Sequence, residues 1–529
     1  MSILTIQNLS LKVGNQHLLK SINFDIQKGE IFALVGESGS GKSLTSLAIM
    51  RLLPEVIKVT QGEIILNDTA LFALPEYQMQ RVRGKSIAMI FQEPMTALNP
   101  VMTIGEQVAE VLRLHLGLKN EAVKKRVIEL FKEVAIKNPE ERYSWYPHQL
   151  SGGQKQRVMI AMALACEPDL LIADEPTTAL DVTIQAQVLR LLKKIQQERD
   201  LSVLFITHDM AVVAQMADRI AVMRHGEILE MGTKATFFEN PTHPYTQRLL
   251  QDARSIKKEE EQPAEQKTLL EVNDLKVHFP IKKGVFQRTV GHVKAVDGVS
   301  FTIERGRTLA VVGESGSGKS TIGQAILRLV EHTEGSIRFE GREITTLTAE
   351  ALKPYRRKIQ VVFQDPYASL NPRMTVGAII REGMRSLGVG GRTKDEREEQ
   401  VKKLLVKVGL KPEHIHRYPH EFSGGQRQRI GIARALAVEP ELIICDEPTS
   451  ALDVSVRSQV LKLLKTLQQE SGISYLFITH DLSIISAVAD KVAVMKEGKM
   501  VEVGEVDEVM ENPQHEYTKK LLQSAPKLP

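Results

Sequence analysis

The stretch Gly36-Glu37-Ser38-Gly39-Ser40-Gly41-Lys42-Ser43 decides how the chain is interpreted. The apolar run Ile31–Val35 precedes it, and residues 44–53 after it have the pattern of a helix. A glycine-rich segment ending in Lys-Ser between a strand and a helix is typical of a phosphate-binding loop. Backbone N–H groups of such a loop surround phosphates at the N-terminus of the helix. We therefore expect Lys42 to bind phosphate oxygens and Ser43 to be a ligand of Mg²⁺.

The same octapeptide occurs a second time, as Gly313-Glu314-Ser315-Gly316-Ser317-Gly318-Lys319-Ser320, with Thr321 next. The two loop lysines are 277 residues apart. Later landmarks recur at a spacing of 272: Gln92 and Gln364, Ser151 and Ser423, Glu175 and Glu447, His208 and His480. Landmarks repeated in one order predict two copies of one domain. We expect domains at residues 1–252 and 269–529, joined by a charged linker at 253–268 that is either a solvated connection or a docking segment.

Composition excludes several classes of protein. The 529 residues are 42% hydrophobic and 25% charged, with a net charge of only +4 and no separate block of Lys and Arg, so no nucleic-acid partner is expected. The two cysteines, Cys166 and Cys445, lie in apolar surroundings and predict buried thiols in a reducing compartment. No apolar run reaches the roughly 18 residues of a membrane span, and the start shows no signal-peptide pattern. We expect a cytoplasmic chain.

Strands and helices are predicted to alternate within each copy. In the first copy, strands are expected at 4–8, 21–26, 86–91, 170–173 and 203–207, and helices from 103 to about 165, with Gly152-Gly153 interrupting them before a helix from Lys155. This order predicts an α/β fold with a largely parallel sheet. Ligands of such sheets lie beyond the carboxyl ends of the strands. Gln92, Asp174, Glu175 and His208 are expected at that edge.

The ordered motifs resemble those of the ATP-binding cassette (ABC) ATPases, over nearly the whole chain. In the first copy the phosphate loop is followed by Gln92, Leu150-Ser151-Gly152-Gly153-Gln154, Asp174-Glu175, an Ala-Leu-Asp loop ending in Asp181, and His208. In the second copy the corresponding residues are Gln364, Phe422-Ser423-Gly424-Gly425-Gln426, Asp446-Glu447, Ala451-Leu452-Asp453 and His480. The resemblance implies two P-loop ATPase cassettes in tandem, each with a mainly parallel α/β core, an antiparallel β portion and a helical subdomain.

The resemblance also implies roles for these residues. Two ATP molecules are expected between the cassettes, each held by the phosphate loop of one cassette and by the Ser-Gly-Gly-Gln segment, called the signature, of the other. Opposite Lys42 the resemblance places Ser423, Gly424, Gly425 and Gln426. Opposite Lys319 it places Ser151, Gly152, Gly153 and Gln154. The Mg²⁺ ligands are expected to be Ser43, Gln92, Asp174, Ser320, Gln364 and Asp446. The general bases are expected to be Glu175 and Glu447. The γ-phosphate is expected to contact His208 and His480, and the attacking water is expected to contact Gln92 and Gln364. Communication between the sites is expected to involve Asp181 and Asp453.

The two copies differ at the position expected to stack on adenine. The family places an aromatic residue there, shortly after the first strand. Phe279 meets this requirement in the second copy, whereas Val13 is at the aligned position of the first copy. We therefore expect weaker adenine contact in the first site. All other site residues are present in both copies, which predicts two hydrolytic sites.

Features outside the ATP chemistry resemble the ATPases of bacterial oligopeptide, dipeptide and nickel importers, including the microcin C type. These features are the segments 91–100 and 363–372, the Tyr-Pro-His sequences before the signatures, and the repeated ends Asn-Pro-x-His-x-Tyr-Thr at 240–246 and 512–518. The repeated ends are also compatible with a helix that packs on its own domain. The resemblance implies two integral membrane permease subunits, a periplasmic or extracellular peptide-binding protein, and a peripheral position on the cytoplasmic face of the inner (plasma) membrane. The alternative is a soluble tandem-cassette ATPase that acts on ribosomes, but such proteins have a long basic linker.

Overall fold

The computed structural model describes residues 1–92, 97–177, 180–254, 267–283, 288–450, 452–526 and 528. Met1–Arg254 with Pro526–Pro529 form one unit, and Ser255–Ala525 form the other. Some features named above fall outside the described residues: 93–96 after Gln92, one alanine in each Ala-Leu-Asp loop, and linker residues 255–266. The linker and the exact domain boundaries stay predictions.

The first unit alternates strands and helices. Its strands are β1 (Ser2–Val13), β2 (Gln16–Gln27), β3 (Ile31–Val35), β4 (Ile57–Leu66), β5 (Thr69–Ala70), β6 (Ile87–Ile90), β7 (Leu170–Asp174), β8 (Ser202–Thr207), β9 (Arg219–Arg224) and β10 (Glu227–Thr233). Its helices are α1 (Lys42–Ile49), α2 (Glu76–Val82), α3 (Ile104–Leu116), α4 (Asn120–Glu133), α5 (Pro139–Arg142), α6 (Gly152–Ala163), α7 (Val182–Arg199), α8 (Met210–Met216), α9 (Lys234–Glu239) and α10 (Pro244–Arg254). Short 3₁₀ turns occupy Leu71–Ala73 and Pro147–Gln149.

Two sheets organise this unit. One is antiparallel, in the order β2-β1-β4-β5. The other has the order β10-β9-β3-β8-β7-β6 and is parallel except for the pairing of β10 with β9. The phosphate loop follows β3, near the middle of this sheet, so the loop lies at the edge where the parallel strands end.

Side chains of β3 alternate between two hydrophobic clusters. Phe32 and Leu34 pack with apolar residues of the antiparallel sheet, whereas Ala33 and Val35 pack with residues of β9 and of the C-terminal helices. All five residues of β3 are buried, as expected for a parallel strand covered on both faces. The position of the loop is therefore fixed from both sides of the sheet.

The helical part of the unit has local start and stop signals. Thr103 caps α3, since its side chain accepts a hydrogen bond from the N–H of Glu106, and Gly117 ends α3 in the left-handed conformation with φ of 65°. Apolar residues of α3, α4 and α6 share one buried cluster with the faces of β7 and β8, so the helical part rests on the parallel sheet.

The second unit repeats the strands and most of the helices of the first in the same order, and a 3₁₀ turn at Pro412–His416 takes the place of α5. Its strands are β11 (Thr268–Lys283), β12 (Arg288–Glu304), β13 (Thr308–Val312), β14 (Glu334–Phe339), β15 (Arg342–Glu343), β16 (Ile359–Val362), β17 (Leu442–Asp446), β18 (Ser474–Thr479), β19 (Lys491–Lys496) and β20 (Lys499–Glu505). Its helices are α11 (Lys319–Ile326), α12 (Lys353–Lys358), α13 (Val376–Leu387), α14 (Lys394–Lys407), α15 (Gly424–Leu436), α16 (Val454–Ser471), α17 (Ile485–Val488), α18 (Val506–Glu511) and α19 (Glu516–Ser524). Its 3₁₀ turns are Pro412–His416, Pro419–Glu421 and Leu482–Ile484.

The sheets of the second unit repeat those of the first. The antiparallel sheet has the order β12-β11-β14-β15, and the other has the order β16-β17-β18-β13-β19-β20. Cys445 is buried within β17, and Cys166 is buried in the turn after α6; both are free thiols. The burial expected for the two cysteines is confirmed.

Candidate functional site

The phosphate loop of each unit has the backbone shape that its glycines predict. Gly41 has φ of 108° directly before α1, a conformation that side chains rarely permit. A Cβ atom on Gly36 would lie 2.1 Å from the carbonyl oxygen of Met223, at the end of β9. Gly318 and Gly313 repeat both features in the second unit, and Thr321 lies in the first turn of α11. The loop is thus folded tightly between the strand and its helix.

The loop wraps around its own lysine. Lys42 Nζ donates hydrogen bonds to the carbonyl oxygens of Gly36 and Glu37, at 2.7 and 2.9 Å. Lys319 Nζ makes the same contacts with Gly313 and Glu314, at 2.8 Å each. In the second loop the buried Ser317 hydroxyl finds no hydrogen-bond partner among the described residues. A buried ammonium, an unsatisfied hydroxyl and a glycine-rich backbone at a helix N-terminus fit a bound phosphate chain.

A hydroxyl and a carboxylate lie within hydrogen-bond distance of each other next to each loop. Ser43 Oγ donates to Asp174 Oδ1 at 3.2 Å, and Ser320 Oγ donates to Asp446 Oδ1 at 2.8 Å. Burial raises the pKa of Asp174 to about 6 and also raises that of Asp446. Among the described residues, no group of three or more His, Cys, Asp or Glu side chains could hold a metal. Paired oxygen donors without a complete cage fit Mg²⁺, which takes its other ligands from phosphates and water.

Glu175 is the centre of a three-residue group at the end of β7. Its carboxylate accepts a hydrogen bond from Gln92 Nε2 at 2.8 Å, and its other oxygen lies 3.0 Å from His208 Nδ1. Gln92 comes from the end of β6 and His208 from the end of β8. The predicted edge of the sheet therefore brings these side chains together, as the strand order requires.

The second unit has the same group with the same distances. Glu447 accepts from Gln364 Nε2 at 2.8 Å and lies 3.0 Å from His480 Nδ1. Burial raises the pKa of Glu447, but His480 and the ammonium of Lys319 lower it further, and the pKa is left below its ordinary value. This carboxylate is therefore ionised at neutral pH, as a proton acceptor has to be.

The signature segment starts a helix in each unit. Ser151 accepts a hydrogen bond from the N–H of Gln154 at 3.4 Å, while Gln154 Oε1 accepts from the N–H of Ser151 at 3.1 Å. Ser423 and Gln426 form the same capping box. The helix therefore begins at Gly152, so the expected start at Lys155 was wrong. The reciprocal cap explains the difference, because it holds the first turn that two glycines alone disfavour.

The two signature glycines have different surroundings. A Cβ on Gly153 would lie 2.4 Å from Ile184 Cγ2, whereas a Cβ on Gly152 would meet only Leu180, at 3.8 Å. In the second unit, Gly425 is crowded by Val456 at 2.2 Å and Gly424 is open, with Leu452 at 3.8 Å. One glycine thus permits close helix packing, and the other leaves the start of the helix accessible.

Asp181 and Asp453 cap the helices that pack on the signatures. Asp181 Oδ1 accepts from the N–H of Ile184, and Asp453 Oδ1 accepts from the N–H of Val456, at 3.0 Å each. Each aspartate thereby fixes the residue that its signature glycine touches. The role in communication between sites stays a prediction, but the structure gives both carboxylates a local role.

Phe279 and Val13 lie on matching strands of the antiparallel sheets. Phe279 pairs with Val293 in β12, two residues before Ala295, whose carbonyl oxygen lies beside Gly318 of the phosphate loop. Phe279 is 41% exposed, so part of the residue is accessible to a ligand. Val13 ends β1 opposite Gln16, at a tight turn. The two units therefore carry different side chains at this position, and the weaker adenine contact expected in the first site stays a prediction.

Two contributions to the loops had not been assigned from the sequence. The N–H of Gly226 donates to the carbonyl oxygen of Ser40 at 2.9 Å, and that of Gly498 donates to Ser317 at 3.0 Å. In addition, the N–H of Glu314 donates to the hydroxyl of Tyr517 at 3.3 Å. The repeated Asn-Pro-x-His-x-Tyr-Thr ends were the available signal for the second contact, since the tyrosine recurs in both copies.

Comparison with known proteins agrees with this geometry. The family model described as ABC transporter matches residues 19–178 and 296–450. The chain belongs to the ABC transporter family. A second model, described as oligopeptide/dipeptide transporter, C-terminal region, matches residues 229–275 and 501–529 of this ABC protein.

Curated relatives resemble the ABC protein over almost its full length. The glutathione import ATP-binding protein GsiA of Salmonella typhimurium is 50% identical, covering 96% of this chain and 86% of the relative. The peptidoglycan transport ATP-binding protein YejF of Agrobacterium fabrum is 50% identical, covering 95% and 92%. The uncharacterized ABC transporter ATP-binding protein YejF of Escherichia coli K12 is 49% identical, covering 98% and 99%.

These matches decide several of the expectations. The fused ATP-binding subunit of an ABC importer, the tandem α/β cassettes and ATP hydrolysis coupled to transport are confirmed. The alternative of a ribosome-associated ATPase is not favoured. Within the described residues, no helix of the ABC protein is both long enough and apolar enough to cross a membrane.

Proposed function

We propose that this ABC protein powers the import of peptides or peptide-like solutes through separate permease subunits. The observation that carries the proposal is that two complete ATP-site groups occur with two C-terminal segments of the oligopeptide/dipeptide transporter type. The names of two relatives fit the same class, because glutathione is a peptide and peptidoglycan contains peptides. The transported solute itself is recognised by other chains, among them a periplasmic or extracellular binding protein.

We propose that ATP binds at two composite sites between the cassettes. The phosphate loop of Lys42 would face Ser423-Gly424-Gly425, and that of Lys319 would face Ser151-Gly152-Gly153. The support is local: Ser151 and Gly152 are exposed, and they begin a helix whose N–H groups favour an anion. Closure of the cassettes around two nucleotides would then couple ATP binding to movement of the permeases.

The groups around Glu175 and Glu447 supply the hydrolytic chemistry. Each carboxylate would accept a proton from the attacking water, while its histidine and glutamine hold it in place at 2.8 to 3.0 Å. The loop lysine and loop amides would stabilise the negative charge on the phosphates. Mg²⁺, bound by the serine and aspartate of each site with help from the glutamine, would neutralise phosphate charge.

Gln92 and Gln364 are placed to report the state of the site. Each amide holds a catalytic carboxylate and belongs to the segment that leads from the parallel sheet to the helical part of its unit. We propose that the helical parts contact two permease subunits, so that loss of the phosphate is transmitted through these glutamines. This requires a peripheral position on the cytoplasmic face of the membrane.

A pull-down of the tagged chain from its native membranes in mild detergent tests the proposal. Two multispan permeases and a secreted binding protein are the expected partners, identified by mass. A Glu175→Gln, Glu447→Gln variant is the matched control, since it should recover the same permeases without hydrolysing ATP. Recovery of ribosomes without an integral membrane protein would overturn the import function.

A further inference from the structure

Residues 512–524, which contain the repeated end and α19, are called here the C-terminal segment of the second unit. One carboxylate connects this segment to β20. Glu502 accepts hydrogen bonds from the N–H groups of Gln514 at 2.7 Å and His515 at 3.1 Å. His515 in turn caps α19, because its Nδ1 accepts from the N–H of Tyr517 at 3.1 Å. The orientation of Tyr517 is therefore set by hydrogen bonds on the segment before it.

Tyr517 points from α19 to the strand that carries the phosphate loop. It is 8% exposed and packs in a cluster with Ala310 and Val312 of β13. The ammonium of Lys496, at the end of β19, lies 5.1 Å from the centre of the Tyr517 ring. A buried aromatic residue thus bridges the C-terminal helix and the end of the central sheet.

The hydroxyl of Tyr517 contacts the loop at the residue whose carbonyl oxygen binds the lysine. It accepts a hydrogen bond from the N–H of Glu314 at 3.3 Å, and the carbonyl oxygen of Glu314 accepts one from Lys319 Nζ at 2.8 Å. The loop is also held from its far side, where the N–H of Gly498 donates to the carbonyl oxygen of Ser317 at 3.0 Å. Tyr517 therefore holds the beginning of the loop, next to the carbonyl that receives the ammonium.

We propose that Tyr517 is a positioning residue for nucleotide binding at the second phosphate loop, and that the C-terminal segment is thereby part of this ATP site. The inference rests on the proposed ATP binding at the second phosphate loop and adds a role for a segment with no assigned chemistry. The first unit repeats the anchor: Glu230 accepts from the N–H groups of Thr242 and His243, and His243 Nδ1 accepts from that of Tyr245. The guanidinium of Arg224 there lies 4.4 Å from the centre of the Tyr245 ring.

The test measures MgATP affinity in the full chain with a Lys42→Ala background, so that binding reports the second loop. Tyr517→Phe should raise the dissociation constant about fivefold, since one hydrogen bond to the loop is lost. Tyr475→Phe is the matched control: its buried hydroxyl donates to the carbonyl oxygen of Leu464 at 2.9 Å, near the start of β18 and away from the loop. This control should leave the dissociation constant unchanged.

Two further measurements separate positioning from general stability. In the chain with both loop lysines intact, Tyr517→Phe should raise the KM for ATP and leave kcat unchanged, because binding is weakened equally in the ground and transition states. The amide hydrogen of Glu314 should exchange faster in this variant than in Tyr475→Phe, although each variant loses one hydrogen bond.

The outcomes distinguish the two proposals. If the Lys42→Ala chain with Tyr517 intact does not bind MgATP, the proposed ATP binding at the second loop is overturned. If the wild-type chain binds MgATP and Tyr517→Phe behaves like Tyr475→Phe, only the role of Tyr517 is refuted. Should Tyr517→Phe fail to fold, the wild-type chain still decides: exchange of the Glu314 amide at the rate of an open loop would also refute the role.

Discussion

Adjacent glycines in the signature should respond differently to the same substitution. In Gly153→Ala the new methyl group would lie 2.4 Å from Ile184 Cγ2, far inside van der Waals contact. In Gly152→Ala the nearest atom, on Leu180, would be 3.8 Å away, which is an ordinary contact. Both positions lie in the first turn of α6. Comparison of the two variants therefore separates the cost of steric crowding from the change in helix propensity that both share.

The size of the effect follows from this comparison. Replacement of glycine by alanine in a helix gains up to about 1 kcal/mol, and this gain is shared by the two variants. Overpacking of a filled contact costs about 1–3 kcal/mol, and this cost falls on Gly153→Ala alone. For a unit of this size, the difference corresponds to about 2–12 °C in Tm.

Differential scanning calorimetry of the full chain is the assay, with the transition of the first unit as the readout. The second-unit pair, Gly425→Ala and Gly424→Ala, should repeat the pattern in the other transition, because a methyl group added to Gly425 would lie 2.2 Å from Val456 Cγ1. Ile184→Ala removes the colliding methyl group and should recover part of the loss in the double variant with Gly153→Ala. A Tm of Gly153→Ala that is equal to or higher than that of Gly152→Ala would refute the steric crowding at Gly153.

Three other predictions concern the ATP chemistry. Glu175→Gln and Glu447→Gln should each lower the steady-state rate of phosphate release, and this rate should fall at least about 100-fold in the double variant, because both proposed general bases are replaced. Wild-type activity in either single variant would contradict this. Phe279→Ala should weaken nucleotide binding several-fold only at the second loop, measured with the opposite loop lysine replaced by alanine. Ser43→Ala should raise the Mg²⁺ concentration needed for half-maximal hydrolysis, and an unchanged Mg²⁺ requirement would exclude this hydroxyl as a ligand.

Local sequence patterns predicted the parts of the site that depend on strand ends. Asp174 and Glu175 follow an apolar run, and His208 follows another, so their place at one edge of a parallel sheet could be expected without the structure. The contacts of Gly153 and Gly425 could not be expected in this way. Their crowding depends on the approach of α7 and α16, which is set by packing between segments distant in sequence.

The opening strands show a second limit of local patterns. Strands were expected at 4–8 and 21–26, but β1 and β2 extend over Ser2–Val13 and Gln16–Gln27. Asn8 and Ser21 have φ of 51° and 50°, and the pairing of the two strands shifts register between Ile6 and Leu11. Such a bulge interrupts the alternation of apolar and polar residues that marks a strand. The predicted strands therefore stop at the bulge, although β1 and β2 continue beyond it.

The backbone conformation of the two glutamates proposed as general bases is a property that neither motif nor spacing predicts. Glu175 and Glu447 each have φ of 47°, a left-handed conformation that is costly for a residue with a side chain. In both units the same hydrogen bond holds this conformation. The N–H of Glu175 donates to the carbonyl oxygen of Ile206, and the N–H of Glu447 donates to that of Ile478, at 2.9 Å each. The carboxylate is then fixed from two sides by glutamine and histidine. Strain that recurs at one position, with both the amide and the carboxylate of the residue held, is the arrangement expected when a base must be aimed before its substrate arrives.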